Sequence, residues 1–251
     1  MLGSIGENKA VGPGLFRLQV ELPGIDAQPG QFAHIKVQGT GSLSHDPLLR
    51  RPLSIADLEG HLLTFYYQVR GRGTSLLAKR QPGEEIDLLV PLGRGFELVP
   101  GREPVLIGGG LGVAPLLFLA RRLVEQGLIP QVLVGFARAE DIFGIQELEN
   151  LGCRVAVSTE CGTVGCPGLV TQLLPQVVTD NSALYACGPK GMLAQICREY
   201  GHLPIQVSLE EIMACGIGAC LGCACPKPGG DYVRVCREGP VFRGEDVAWE
   251  I

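Results

Sequence analysis

Val105-Leu106-Ile107-Gly108-Gly109-Gly110-Leu111-Gly112-Val113-Ala114-Pro115 marks a change in the character of the chain. The three apolar residues at its start read as a short buried strand, the glycine run as a turn, and Leu116 to Glu125 beyond it as a helix. A strand that runs through glycine into a helix is a physical recipe for gripping a phosphate. Backbone N–H groups and the helix N-terminus meet the anion, and glycine lets it come close. The match to G-x-G-x-x-G is imperfect, because Val113 stands where the third glycine is expected. Taken alone, the turn serves equally well as a tight strand–helix connection in any α/β domain.

Downstream, strands and helices alternate. Strands are expected at Val132 to Gly135, Val155 to Ser158, Leu184 to Cys187 and Ile205 to Leu209. Helices are expected at Ile145 to Asn150, around Gly168 to Leu174, and at Gly191 to Tyr200. That order predicts a doubly wound parallel sheet with helices on both faces. Upstream the pattern is different. Phe16, Leu18, Val20 and Leu22 alternate with polar residues, as do Leu63, Phe65, Tyr67 and Val69. Further extended stretches run over Phe32 to Val37 and Glu85 to Val90, with Gly/Pro turns between and no long amphipathic helix. This half reads as a small antiparallel β barrel. The expected domains are a barrel over 1–100, an α/β nucleotide-binding domain over 101–209 and a small module over 210–251.

The 251 residues suffice for two domains and a small module, and a hydrophobic fraction of 46% supports a full core. Only 19% of residues are charged, which hints at surface covered by a partner. A net charge of −5 without a basic run argues against nucleic acid or an anionic membrane as partner. No apolar run reaches the roughly 18 residues of a membrane span. The N-terminus lacks the basic and apolar regions of a signal peptide, so a cytoplasmic location is expected. There, ten cysteines point to thiols that serve metals.

Four of those cysteines, Cys215, Cys220, Cys223 and Cys236, are spaced C-x4-C-x2-C-x12-C. The plant-type 2Fe-2S arrangement begins with that triplet and closes with a distant fourth cysteine. Gly216, Gly218 and Gly222 allow a loop to turn sharply and aim backbone N–H groups at sulfur. Structural zinc also takes four thiolates, but usually from two short C-x2-C-like knuckles, and here there is one. Cys225 is either a substitute for Cys223 or a spare thiol. Cys153 and Cys197 read as ordinary buried thiols.

In the barrel half, Arg50-Arg51-Pro52-Leu53-Ser54-Ile55 carries distinctive chemistry. An arginine followed at i+3 by a hydroxyl on an extended segment suits a diphosphate and the edge of a flavin, or simply a solvated turn. Arg70-Gly71-Arg72-Gly73-Thr74 adds two cations and a glycine turn that suit the same anion or a solvated loop.

Arg51-Pro52-Leu53-Ser54 resembles the Arg-x-Tyr/Leu-Ser flavin motif of the ferredoxin–NADP reductase superfamily. Gly108 to Gly112 and Cys187-Gly188-Pro189 resemble that superfamily's nicotinamide motifs. Met213 to Cys220, together with Glu238-Gly239-Pro240-Val241-Phe242, resembles one branch of it, the electron-transfer subunit of NAD-linked dihydroorotate dehydrogenase. The resemblance runs in order along essentially the whole chain. It implies FAD held by Arg51, Pro52, Leu53, Ser54, Tyr66, Tyr67, Gln68, Gly73 and Thr74. It implies a 2Fe-2S cluster on Cys215, Cys220, Cys223 and Cys236, with Cys225 a bystander. NAD would meet Gly108, Gly109, Gly110, Leu111 and Gly112, with Cys187, Gly188 and Pro189 beside its nicotinamide.

The implied partner is an FMN-containing catalytic subunit that oxidises dihydroorotate in pyrimidine biosynthesis, assembled as a heterotetramer of two of each chain. This chain would then need no acid–base residue of its own, and none stands out. Two other readings stay open. One is the small subunit of a ferredoxin–NADP transhydrogenase or sulfide dehydrogenase, against which Cys215 argues because that relative carries an aspartate at the first ligand position. The other is a non-enzymatic iron–sulfur module, against which the intact Arg51-Pro52-Leu53-Ser54 argues. Arg138 would suit a 2′-phosphate, while Glu140 and Asp141 would suit a ribose hydroxyl, so NAD and NADP are not separated. Cys161 and Cys166, flanking a glycine turn, depart from the expected polar residues and leave room for a second metal or a disulfide.

Overall fold

Six strands close the barrel expected over the first hundred residues: β1 (Leu2–Gly12), β2 (Leu15–Glu21), β3 (Phe32–Lys36), β4 (Arg51–Glu59), β5 (Leu62–Gln68) and β6 (Glu85–Leu92). The computed structural model describes residues 1–39 and 43–249. Around the barrel the order is β1-β2-β5-β4-β3-β6, every pair is antiparallel, and β6 returns to β1. Alternation turns one side chain in two inward, so Leu18, Val20, Ile35, Ile55, Leu63, Phe65, Ile86 and Leu88 are fully enclosed. Each such burial contributes about 1.5–3 kcal/mol. The stretch forming β1 escapes a period-2 reading because its second half is largely exposed. A single six-residue helix, α1 (Arg72–Leu77), lies between β5 and β6.

The second half is a seven-stranded sheet. Its strands are β7 (Glu103–Gly109), β8 (Gln131–Phe136), β9 (Arg154–Thr159), β10 (Cys166–Pro167), β11 (Ser182–Cys187), β12 (Ile205–Ser208) and, after a two-stranded ribbon of β13 (Ala224–Pro226) and β14 (Tyr232–Arg234), β15 (Val241–Arg243). The order is β10-β9-β8-β7-β11-β12-β15. The chain winds outward from β7 on one side, then returns to its other side at β11, so the order reverses between β7 and β11. All neighbours are parallel except β15, which runs antiparallel to β12. Within the stretch 210–249, Val241–Arg243 is an edge strand of this sheet.

Helix α2 (Val113–Glu125) opens at the glycine turn, and its Phe118 belongs to the barrel core, so this helix ties the two halves together. Helices α3 (Ile145–Asn150) and α4 (Lys190–Tyr200) lie close to the expected ranges. The helix expected around Gly168 to Leu174 is instead a 3-10 segment, Val170–Gln176, with Pro175 inside it. Proline supplies no N–H and crowds the preceding carbonyl, which disfavours an α-helix here.

Candidate functional site

Strands β4 and β5 pair from Ile55 with Phe65 to Glu59 with Leu62, and then part. Beyond that point Arg51 to Ser54 keep β3 as their partner, and Tyr66 to Gln68 keep β2. Two strand edges thus border one seam, and their backbone N–H and C=O groups call for partners across it. Leu53 points into the barrel, whereas Pro52 and Ser54 lie on the outer face, opposite His34 and Phe32. Tyr66 faces outward and donates its hydroxyl to Glu147 at 2.8 Å. Tyr67 faces inward and donates to Asn8 at 2.8 Å, so its side chain is a barrel-core group and its backbone alone remains for the seam.

The Arg51 guanidinium lies flat on Gly73, where an added Cβ would stand 2.3 Å from Nε. The Thr74 hydroxyl accepts from the N–H groups of Arg70 and Gly71, at 3.0 and 3.3 Å, and so closes the first turn of α1. A seam lined by backbone donors and acceptors, ending at an arginine, fits a flat heteroaromatic ring with an anionic tail. FAD has that form.

Where the sheet order reverses, Gly108 on β7 pairs with Cys187 on β11. Gly112 lies directly against the following peptide, with an added Cβ 2.2 Å from the Cys187 carbonyl oxygen, so glycine is required for this close approach. The two distant stretches singled out in the sequence, Gly108 to Gly112 and Cys187 to Pro189, therefore form one wall. A cavity of about 310 Å³ opens beside it, lined by Gly110, Leu111, Phe136 and Asp141 from the sheet half and by Gln68 and Arg70 from the barrel. Arg138 and Glu140 form an exposed ion pair at 3.1 Å.

The Cys187 thiol is pushed up by burial and by nearby Glu210, with the Ser208 hydroxyl opposing. The protein around Glu210 raises its own carboxyl, against the pull of Arg70, although part of its side chain reaches solvent. Sequence reading named neither Ser208 nor Glu210. Ser208 ends β12 and Glu210 lies two residues beyond it, positions that carry no local signal.

Cys215, Cys220 and Cys223 lie on the loop before the β13–β14 ribbon, and Cys236 lies on the turn after it. Backbone N–H groups reach their sulfurs: Gly218 to Cys236 at 3.1 Å, Ala219 to Cys215 at 3.3 Å, Gly222 to Cys220 at 3.4 Å and Cys236 to Cys223 at 3.4 Å. Such donors, the N–H of Ile217 first among them, bring the Cys215 thiol down to about 6, which favours the thiolate a metal needs. Arg234 fastens the loop, giving Nη1–H to the Gly218 carbonyl at 2.7 Å and pairing with Glu238. Among the described residues no three metal-binding side chains converge on one ion position. Cys225 is buried on β13, outside this set of sulfur hydrogen bonds, and burial raises its thiol.

Of the remaining thiols, Cys153 is buried as expected, while Cys197 is only half-buried. Cys161 and Cys166 are exposed and free.

Residues 210–248 match the model of the iron-sulfur cluster binding domain of dihydroorotate dehydrogenase B. The electron transfer subunit of dihydroorotate dehydrogenase B (NAD(+)) from Caldanaerobacter subterraneus subsp. tengcongensis is 40% identical over 252 residues, which cover 98% of each chain. The chain belongs to this family of electron transfer subunits. Its counterpart from Shouchella clausii is 43% identical over 233 residues, 90% of this chain and 88% of that one.

Among solved structures, an NADH-dependent reduced ferredoxin-NADP oxidoreductase studied for flavin-based electron bifurcation aligns with a TM-score of 0.84. It is 29% identical, over 99% of this chain and 90% of that one. The transhydrogenase alternative thus shares the architecture, but the dihydroorotate dehydrogenase subunits share more of the sequence. Phthalate dioxygenase reductase, at a TM-score of 0.66 and 16% identity over 94% of both chains, shows the fold alone. The family model's name carries an iron-sulfur cluster, the relatives' name NAD(+) and the bifurcating oxidoreductase's a flavin, and the cysteine loop, the glycine wall and the seam have chemistry that fits each of these groups.

Proposed function

We propose that this chain carries electrons between a dihydroorotate-oxidising catalytic subunit and NAD+. FAD lies along the β4–β5 seam against Arg51 to Ser54 and Tyr66 to Gln68, with Gly73 and Thr74 at its anionic end. NAD enters over Gly108 to Gly112, beside Cys187 to Pro189, and the 2Fe-2S cluster is held by Cys215, Cys220, Cys223 and Cys236. One observation carries the reading: the end of the barrel seam, at Gln68 and Arg70, and the glycine turn, at Gly110 and Leu111, line a single cavity. A nicotinamide delivered from one wall therefore meets a flavin held by the other.

When bound, the flavin exchanges two electrons with the nicotinamide as a hydride, and the cluster carries electrons singly. The chain's own contribution is orientation. Gly112 and Cys187 hold the nucleotide wall, Arg51 anchors the anionic tail, and the seam's backbone fixes the ring. Dihydroorotate gives up two electrons and two protons to become orotate. NAD+ takes both electrons and one proton, and the second proton goes to solvent.

The partner is an FMN-bearing subunit of cytoplasmic pyrimidine biosynthesis, in a heterotetramer with two copies of this chain. Ile212, Ile217, Leu221 and Tyr232, all on the cluster-bearing stretch, are 85, 56, 63 and 69% exposed. Positions 215–225 carry no charge, which suits the core of an interface. Leu221 is also the single non-glycine residue of positive φ among the described residues, at +60°. That conformation costs about 1–2 kcal/mol for a residue with a Cβ, and here it presents an apolar side chain to solvent.

The test is to co-purify the chain with an FMN dehydrogenase partner and assay dihydroorotate-dependent reduction of NAD+. The pair should show it, and this chain alone should oxidise NADH only with artificial acceptors. A purified chain with zinc, no acid-labile sulfide and no flavin would sink the reading.

A further inference from the structure

His34 is fully buried, and among the described residues neither of its ring nitrogens has a hydrogen-bond partner. A histidine that merely fills space is commonly satisfied, and a leucine or phenylalanine fills space without leaving two polar atoms orphaned. Its position is specific. On β3, Ala33, Ile35 and Val37 point into the barrel, so His34 lies on the outer face with Phe32. Directly across the strand pair are Pro52, opposite His34, and Ser54, opposite Phe32. The flavin stretch and His34 therefore occupy one face of two adjacent strands.

On its other side the imidazole meets the cluster loop. A Cβ added to Gly216 would stand 2.4 Å from Nδ1 and 3.0 Å from Cγ of His34, and Gly216 takes φ +71°. The turn after the first ligand, Cys215, is thus pressed flat onto the ring. The backbone carbonyls of Cys215 and Arg50 are near enough to oppose the effect of burial on the imidazole, yet neither closes a hydrogen bond. In either protonation state the ring keeps at least one N–H donor.

We propose that His34 is a positioning residue for electron passage between flavin and cluster: its imidazole, against which Gly216 packs, seats the Cys215–Gly216 turn against the flavin strands and directs a ring N–H at the Cys215 backbone carbonyl. The placing of the ligand turn and the exclusion of solvent tune the cluster's potential. A ring wedged between the two sites also sets their separation. The proposal rests on the cofactor assignment above.

The experiment uses the full chain with its native cofactors, compared with His34→Phe, which keeps bulk and loses the donor, and His34→Gln, which keeps a donor. Flavin, iron and sulfide content of the native chain tests the cofactor assignment; its failure would sink that reading and this proposal together. Two readouts then isolate His34. They are the electron paramagnetic resonance spectrum of the reduced cluster and, after mixing with NADH, the rate of cluster bleaching relative to flavin bleaching. His34→Phe should shift the spectrum and slow the cluster phase relative to the flavin phase by roughly tenfold or more, while His34→Gln stays close to native. A His34→Phe protein indistinguishable from native would overturn the proposal. So would a His34→Gln protein that departs as far as His34→Phe, including the case in which both lose the cluster.

Discussion

Arg121 on α2 grips Asp57 on β4 with parallel hydrogen bonds, Nε to Oδ1 at 2.9 Å and Nη2 to Oδ2 at 2.7 Å. The helix that begins at the glycine turn is thereby bolted to the strand that begins with Arg51. The pair is partly shielded and bidentate, a geometry lysine does not reproduce. Arg121→Ala should destabilise the chain by about 1–3 kcal/mol, and Arg121→Lys should recover only part. Urea unfolding measures both; a loss under a few tenths of a kcal/mol would show that the clamp is idle.

Gly112→Ala places a methyl group where the Cys187 carbonyl already stands. The glycine turn or β11 must shift, at about 1–3 kcal/mol. Flavin content should be unchanged because Gly112 packs on Cys187 and Gly188 and not on the seam, but NADH should reduce that flavin at least tenfold more slowly. Rapid mixing with NADH, with chemical reduction as a control, gives the comparison. Native reduction kinetics in the variant would remove the nucleotide from this wall.

Cys223→Ser and Cys225→Ser separate the proposed ligand from a neighbour two residues away. Only Cys223 has its sulfur in the N–H cradle, through Cys236, and Cys225 is a buried thiol outside it. Cys225→Ser should keep the full cluster spectrum, and Cys223→Ser should lose or distort it. The exchanged result would reassign the third ligand.

Glu238 is held down to about 2, first by its hydrogen bond from Arg234. Its ordinary value is 4.5, so the folded state favours the carboxylate. The stabilisation is complete above that pH and fades as pH falls toward about 2, where the folded carboxyl takes up its proton. Since Arg234 also holds Gly218, cluster retention should follow. Native chain should keep its visible absorbance longer than Glu238→Gln by a constant margin at neutral pH, and the margin should shrink below pH about 4.5. A margin that widened in acid would contradict the sign.

Leu221→Glu tests the docking face. A charge placed at an interface core and left unpaired should weaken the complex by at least about 2 kcal/mol, roughly thirtyfold in affinity. Because Leu221 is 63% exposed in the chain alone, the cluster and the fold should survive. Co-purification yield and dihydroorotate–NAD+ activity report the loss; full retention of both would move the partner elsewhere.

What could be read without the structure was whatever repeats over short spans. Alternation in Phe16 to Leu22, the apolar run into Gly108 to Gly112 and the intervals between Cys215, Cys220 and Cys223 depend on neighbours within a few residues. Each therefore left its mark in order along the chain. The segment Val170–Gln176 is a 3-10 turn where an α-helix is expected around Gly168 to Leu174, because Pro175 lies inside it.

Tertiary structure alone decided the relations between those pieces. The parting of β4 and β5 is a matter of register, and it turns Arg51 to Ser54 from an ordinary strand into one side of a seam. The reversal of strand order brings Gly112 under Cys187, and the return of Val241–Arg243 ties the cluster stretch to the sheet. His34 and Glu210 carry no local signal in the sequence, since their meaning lies in what the fold packs against them. Local patterns specify elements because strand and helix periods are short, whereas a site is made where elements distant in sequence are forced together by burial.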